Sequence, residues 1–381
     1  MKVSAFLCVF LLGLFPPAGA AGSGEPPTVG AREEYQLLEL GAPVRSGLSA
    51  KQAHRYRVEL AAGEYVHVDV KQIGIDVGIS LLSPDGKKLI EIDTPSGRFG
   101  TEELAWIAET GGAYGLVVSA LDDSAPDGDY AVRLRERRPH APRDTTRLRA
   151  QAAFVEGYAL SQKEETDAQR RAVETLERSL ALWREIGDRK YEAMTLETMA
   201  SSYHNYLSEP AKAAALYETV LPFWRETNDL QLEAFTLFGL ATAEWRMNSL
   251  QKAVDHYEAA LAPARRLGDR STEAQILSNL ALVHNARNEK TKALEVYGQA
   301  LPLLRETGNR YAEQYTLANI GLLYDESGEK QKALDAYRQS LALARDLGIR
   351  KAEAVVLSNI GSLYIEMGEE DTGREHLRQS L

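Results

Sequence analysis

The chain of 381 residues is long enough for two or three domains, and its 44 % apolar content belongs to folded protein rather than to disorder. A formal charge of −11 argues against nucleic acid as a general partner, because phosphate binding wants a positive surface. A single cysteine, Cys8, excludes a disulfide framework.

Residues 1–20 read as a secretory signal: Lys2 opens it, Val3 to Phe15 is apolar, and Ala18-Gly19-Ala20 supplies a small-residue cleavage site. The expected product is exported, periplasmic or extracellular. The apolar run is too short to span a bilayer comfortably, so no transmembrane segment is expected after cleavage; the alternative is a short N-terminal anchor. Cys8 leaves with the signal, and stability must then come from packing alone. Residues 21–32 are rich in Gly and Pro and read as a flexible lead-in.

Over residues 33–138 the pattern alternates. Tyr56 to Leu60, Tyr65 to Val70, Val77 to Leu82, Gly115 to Ser119 and Tyr130 to Leu134 predict strands. Ala62-Gly63, Ser83-Pro84-Asp85-Gly86, Gly111-Gly112 and Pro126-Asp127-Gly128 predict the turns between them. An antiparallel β-sandwich is the expected fold. Asp122, Asp123, Asp127 and Asp129 are spaced to offer calcium ligands, but turns favour aspartate for its local hydrogen bonds, and that reading is preferred. The seven arginines between Arg133 and Arg149, with Pro139 and Pro142, read as a solvated, stiffened connection rather than an anionic-surface contact. The linker proper is placed at residues 139–144, with Asp144 capping the helix that follows.

Residues 145–381 beat at a fixed interval. LSNLALVHN, LANIGLLYD and LSNIGSLYI start at Leu277, Leu317 and Leu357, 40 residues apart. Each repeat predicts two amphipathic helices. The first shows Leu277, Leu280 and Val283, then Leu317, Ile320 and Leu323, then Leu357, Ile360 and Leu363. A small residue follows the middle one at Ala281, Gly321 and Gly361, and the second helix offers Tyr257, Tyr297 and Tyr337. Gly268 and Gly308 are placed to end helices in the left-handed conformation, and Asp269 and Asn309 to cap the next. Earlier repeats are looser, with a divergent first one from Thr145.

This small-large-small code, with GDRSTEAQILSNLALVH from Gly268 and GNRYAEQYTLANIGLLY from Gly308, resembles the tetratricopeptide repeat family, in particular its longer-repeat kinesin-light-chain and LGN branch. The resemblance implies a right-handed α-solenoid of five or six helical pairs after the sandwich. GEYVHVDVKQIGIDVGISLLSPDGKKL, GAYGLVVSA and DGDYAVRL resemble the bacterial pre-peptidase C-terminal β-sandwich of exported proteins. That sandwich and such repeats often precede a caspase-like CHAT domain, which this sequence does not contain. An alternative is therefore the regulatory half of a CHAT protease system. A third reading is self-association through the last repeat, where the sequence shows no plain polar capping helix.

Motifs of covalent chemistry are missing. There is no G-x-S-x-G elbow, phosphate loop or H-E-x-x-H, and the histidines do not fall at metal-ligand spacing. The chain reads as a non-enzyme without cofactor or metal, and His204 and His284 as packing residues. The feature that invites a functional reading is an asparagine recurring at Asn279, Asn319 and Asn359, at a helical position that propensity disfavours. In tetratricopeptide proteins this position faces the concave groove and bonds the backbone of a bound peptide, and the resemblance carries that role onto these three. Gln275, Tyr315, Asn285 and Asp325 are the neighbouring groove candidates. Lys or Arg is absent one turn later, where Leu282, Leu322 and Ser362 stand, so a two-carboxylate clamp is not expected. The asparagines could equally fix helix stacking, and both uses can hold. The expected function is a protein or peptide-binding scaffold.

Overall fold

A computed structural model describes residues 35–121 and 127–380. The signal at 1–20, the lead-in at 21–32 and two of the turn aspartates, Asp122 and Asp123, lie outside the described residues. Among the described residues nine strands precede twelve helices, the two-sheet domain and repeat solenoid anticipated from the sequence. The chain divides into two compact units between Ala243 and Glu244.

In the first unit, one sheet runs β1 (Gln36–Leu37), β3 (Ala53–Leu60), β8 (Gly112–Ala120), β5 (Val77–Leu82), β6 (Lys88–Ile92). The other runs β2 (Val44–Leu48), β9 (Gly128–Pro139), β4 (Glu64–Ile73), β7 (Thr101–Ile107). All pairings are antiparallel except β1 with β3. Val66, Val68 and Val70 of β4 and Val58 and Leu60 of β3 enter a common core, as alternation requires. The hydroxyls of Tyr56 and Tyr130, one from each sheet, meet at 2.6 Å inside it.

The opposite face of β4 is polar in sequence yet also buried: Tyr65, His67 and Asp69 are each under 8 % exposed. Helices cover it. Gln151 of α1 (Pro142–Ser161) pairs through its amide with both backbone groups of Ala105 in β7, at 2.9 and 3.1 Å. From α3 (Arg189–Asn205), Lys190 reaches Glu103 at 2.8 Å and Tyr191 donates to the Glu103 carbonyl. The short turn Gly97–Phe99 packs against Phe235 of α5 (Leu230–Arg246). The sandwich is thus built onto the first helices.

The arginine run is no solvated linker. Arg133 binds Asp69, Arg138 binds Asp144, and Arg147 binds Asp188, each at 2.6 Å. Acidic partners on the sheet and helices draw the run into ordered structure. β9 reaches Pro139 and α1 starts at Pro142, leaving His140 and Ala141 between them instead of residues 139–144. Asp144 serves from inside the first turn, accepting the Ala141 N–H at 2.7 Å.

The remaining helices of the first unit are α2 (Thr166–Ile186) and α4 (Pro210–Thr227). In the second unit α6 (Leu250–Leu267), α8 (Lys290–Glu306), α10 (Lys330–Asp346) and α12 (Glu370–Gln379) alternate with α7 (Arg270–Ala286), α9 (Arg310–Glu326) and α11 (Arg350–Glu366). Gly268 and Gly308 adopt φ of 70° and 67°, a conformation that side-chain-bearing residues resist. Asp269 and Asn309 cap from Oδ1 to the N–H three residues on, at 3.1 and 3.0 Å. One ion pair recurs at each repeat boundary: Arg184–Glu192, Arg225–Glu233, Arg265–Glu273, Arg305–Glu313 and Arg345–Glu353, all between 2.6 and 3.1 Å. It ties the last turn of one helix to the first turn of the next, where helix dipoles favour an arginine and a glutamate respectively. α12 packs on α11 where Gly361 and Gly373 meet, and its outer residues Glu370, Asp371, Arg374 and Glu375 are exposed. α12 thus places polar residues on its outer side.

Candidate functional site

The first helices of the last repeats carry the predicted site, and their periodicity decides which side chains reach solvent. Position 279 and its 40-residue partners follow the core stripe by a fraction of a turn, so small shifts in packing separate them. Asn279 is fully buried, whereas Asn319 and Asn359 are half-buried. The Asn319 amide lies beside the Tyr297 hydroxyl of α8; burial drives that phenol far above its usual range, and Asn319 opposes the shift. Asn279 therefore serves packing, while Asn319 can serve packing and a ligand together.

Asn319 opens onto a hollow of about 370 Å³. Trp245 and Leu282 supply its apolar part, Asn285, Asn288 and Asn319 its amides, and the Lys290–Glu326 ion pair at 3.0 Å one wall. Of the seven residues singled out, Asn285 and Asn319 come together here. The other five lie apart from it. Tyr315 is 8 % exposed, with its hydroxyl 3.2 Å from that of Tyr311. Gln275 is half-buried on α7 with its Oε1 enclosed. Burial raises the Asp325 carboxyl, Glu366 adds to the effect, and Lys330 opposes it. Asn359 belongs to the next helix, α11.

Sequence reasoning missed Trp245, Asn288, Lys290 and Glu326. A signal for the first existed: Trp245, Asn285 and Asp325 stand at successive 40-residue intervals. Chemically, primary amides donate and accept at once, which suits them to the N–H and C=O of an extended backbone. The indole edge and Leu282 suit an apolar side chain beside it. His284 is 6 % exposed and bonds Glu289 at 2.7 Å, which makes it a packing residue, as expected. Among the described residues no group of three or more His, Cys, Asp or Glu is arranged to hold a metal. Nor is any described helix long and apolar enough to cross a membrane.

The tetratricopeptide repeat family model matches residues 232–306 and 272–346. Among solved structures, BtubC (BKLC) from P. vanneervenii is similar at 20 % identity and a TM-score of 0.50, covering 56 % of this chain and 89 % of that one. Aspartyl phosphate phosphatase F from Bacillus subtilis is similar at 14 % identity and a TM-score of 0.50, covering 62 % and 70 %. These likenesses concern the fold. No curated protein matches the chain.

Proposed function

We propose that this chain is an exported, non-catalytic scaffold whose repeat array grips an extended segment of a partner protein along its first helices. The observation that carries the reading is the hollow in which Asn285 and Asn319 meet Trp245 and Leu282. Asparagine amides bond the ligand backbone, and burial of one apolar ligand side chain against the indole adds affinity. The sandwich, of the pre-peptidase C-terminal kind, is held to the first helices through its contacts with α1 and α3. Export follows from the signal at residues 1–20. The test is capture of exported proteins by the full mature chain and by its Asn285→Ala/Asn319→Ala variant. A partner retained by the first and lost by the folded second supports the reading. A partner indifferent to the double change refutes it.

A further inference from the structure

The second helices carry a different surface. In the last repeat Arg338 of α10 crosses to α11, donating from Nη2 to the Tyr364 hydroxyl at 2.6 Å. Arg338 also approaches Asp335 at 3.9 Å. Forty residues earlier, the place of Arg338 is taken by Gly298 on α8, and that of Tyr364 by Tyr324. A Cβ on Gly298 would meet nothing within 4 Å. A hollow of about 410 Å³ results between α8 and α10, floored by Leu317, Ile320 and Tyr324 of α9.

The lining holds both signs of charge, but its cations are engaged. Arg305 binds Glu313 at 2.7 Å and Gln339 at 3.3 Å. Lys332 pairs with Glu329 and lies 5.2 Å over the Tyr324 ring. Asp335, the carboxylate of the lining, accepts from Gln331 at 3.2 Å, with Arg338 at 3.9 Å, and keeps acceptor capacity toward the groove.

We propose that this groove takes an arginine side chain from a partner protein, its guanidinium meeting Tyr324 as that of Arg338 meets Tyr364. The aliphatic stem lies on Leu317 and Ile320, and the guanidinium reaches the Tyr324 hydroxyl and Asp335. The planar, multiply donating head selects arginine over lysine. This surface lies on the second helices, apart from the amide-lined hollow, and does not depend on it.

The test titrates the full chain into a dye-labelled, blocked peptide Ser-Leu-Arg-Leu-Ser and into the same peptide with neutral citrulline for arginine, read by fluorescence anisotropy. Saturable binding of the arginine peptide is expected, at least about tenfold weaker for citrulline. Gly298→Arg, which fills the groove from within, should weaken it at least about tenfold while leaving the melting temperature equal or higher, since glycine is the poorer helix former. Tyr324→Phe should weaken it severalfold. Equal affinity for the two peptides, indifference to Gly298→Arg, or no saturable binding overturns the proposal. So does concentration-dependent self-association of the chain that Gly298→Arg abolishes, which would make the occupant a second copy.

Discussion

Gly321 and Tyr337 divide one volume between two helices. A Cβ at 321 would lie 2.6 Å from the tyrosine ring, so even one added carbon must displace the aromatic wedge. Gly321→Leu should destabilise the protein by about 1–3 kcal/mol or more in denaturant unfolding, and an unchanged midpoint would contradict this packing. Glu197 illustrates a buried charge avoided. It is 5 % exposed, bonds Thr236 at 2.8 Å, and burial pushes its carboxyl from 4.5 up to about 8. Folding therefore favours the proton: the contribution is fully present below the unfolded value and is lost as pH rises through about 8. Glu197→Gln should flatten the fall in melting temperature between pH 5 and pH 9, and parallel profiles for the two proteins would sink this account. The recurring asparagines were legible as a pattern, but which of them reaches solvent was not. That depends on how closely each helix meets its neighbour, a tertiary quantity that periodicity does not carry.

At the scale of elements, period and punctuation made the helices legible: the 40-residue beat, the left-handed glycines and the aspartate or asparagine caps. Strand β7 was not. Its sequence sets Glu102 beside Glu103, which reads as exposed, yet both are buried. Burial, with the neighbouring Asp93, pushes the Glu102 carboxyl well above its usual range, and it accepts from Thr94 and Ser96 at 2.8 and 2.5 Å. Burial would raise Glu103 too, but the His67 hydrogen bond and the Lys190 ammonium hold it well below the carboxylate range. Both partners come from distant sequence. The boundary ion pairs recur five times, but their arginines are half-exposed, which limits their worth. Arg305→Ala should cost no more than about 1 kcal/mol, and less at high salt. A larger, salt-independent loss in urea melts would show that the pair does more than join helices.

At the scale of the molecule, the first unit joins a sandwich to helices through buried polar contacts rather than a tether. Gln151 is 4 % exposed and satisfies two backbone groups of β7. Removing its amide in Gln151→Ala should destabilise the first unit by about 1–3 kcal/mol, because the N–H and C=O of Ala105 stay buried without partners. Hydrogen exchange should report the loss in both β7 and α1; a loss confined to one would mean that the two unfold separately. The proposed partner surface lies on the first helices of the second unit. The most direct test of that claim is photo-crosslinking from a benzoylphenylalanine placed at Ala286, on the exposed rim of the amide-lined hollow, compared with one at Lys252 on the exposed first turn of α6. Exported proteins should be captured from Ala286 and not from Lys252, and Trp245→Ala should reduce the capture. Capture from Lys252 alone, or equal capture from both, would contradict a partner-binding face built around Asn285 and Asn319.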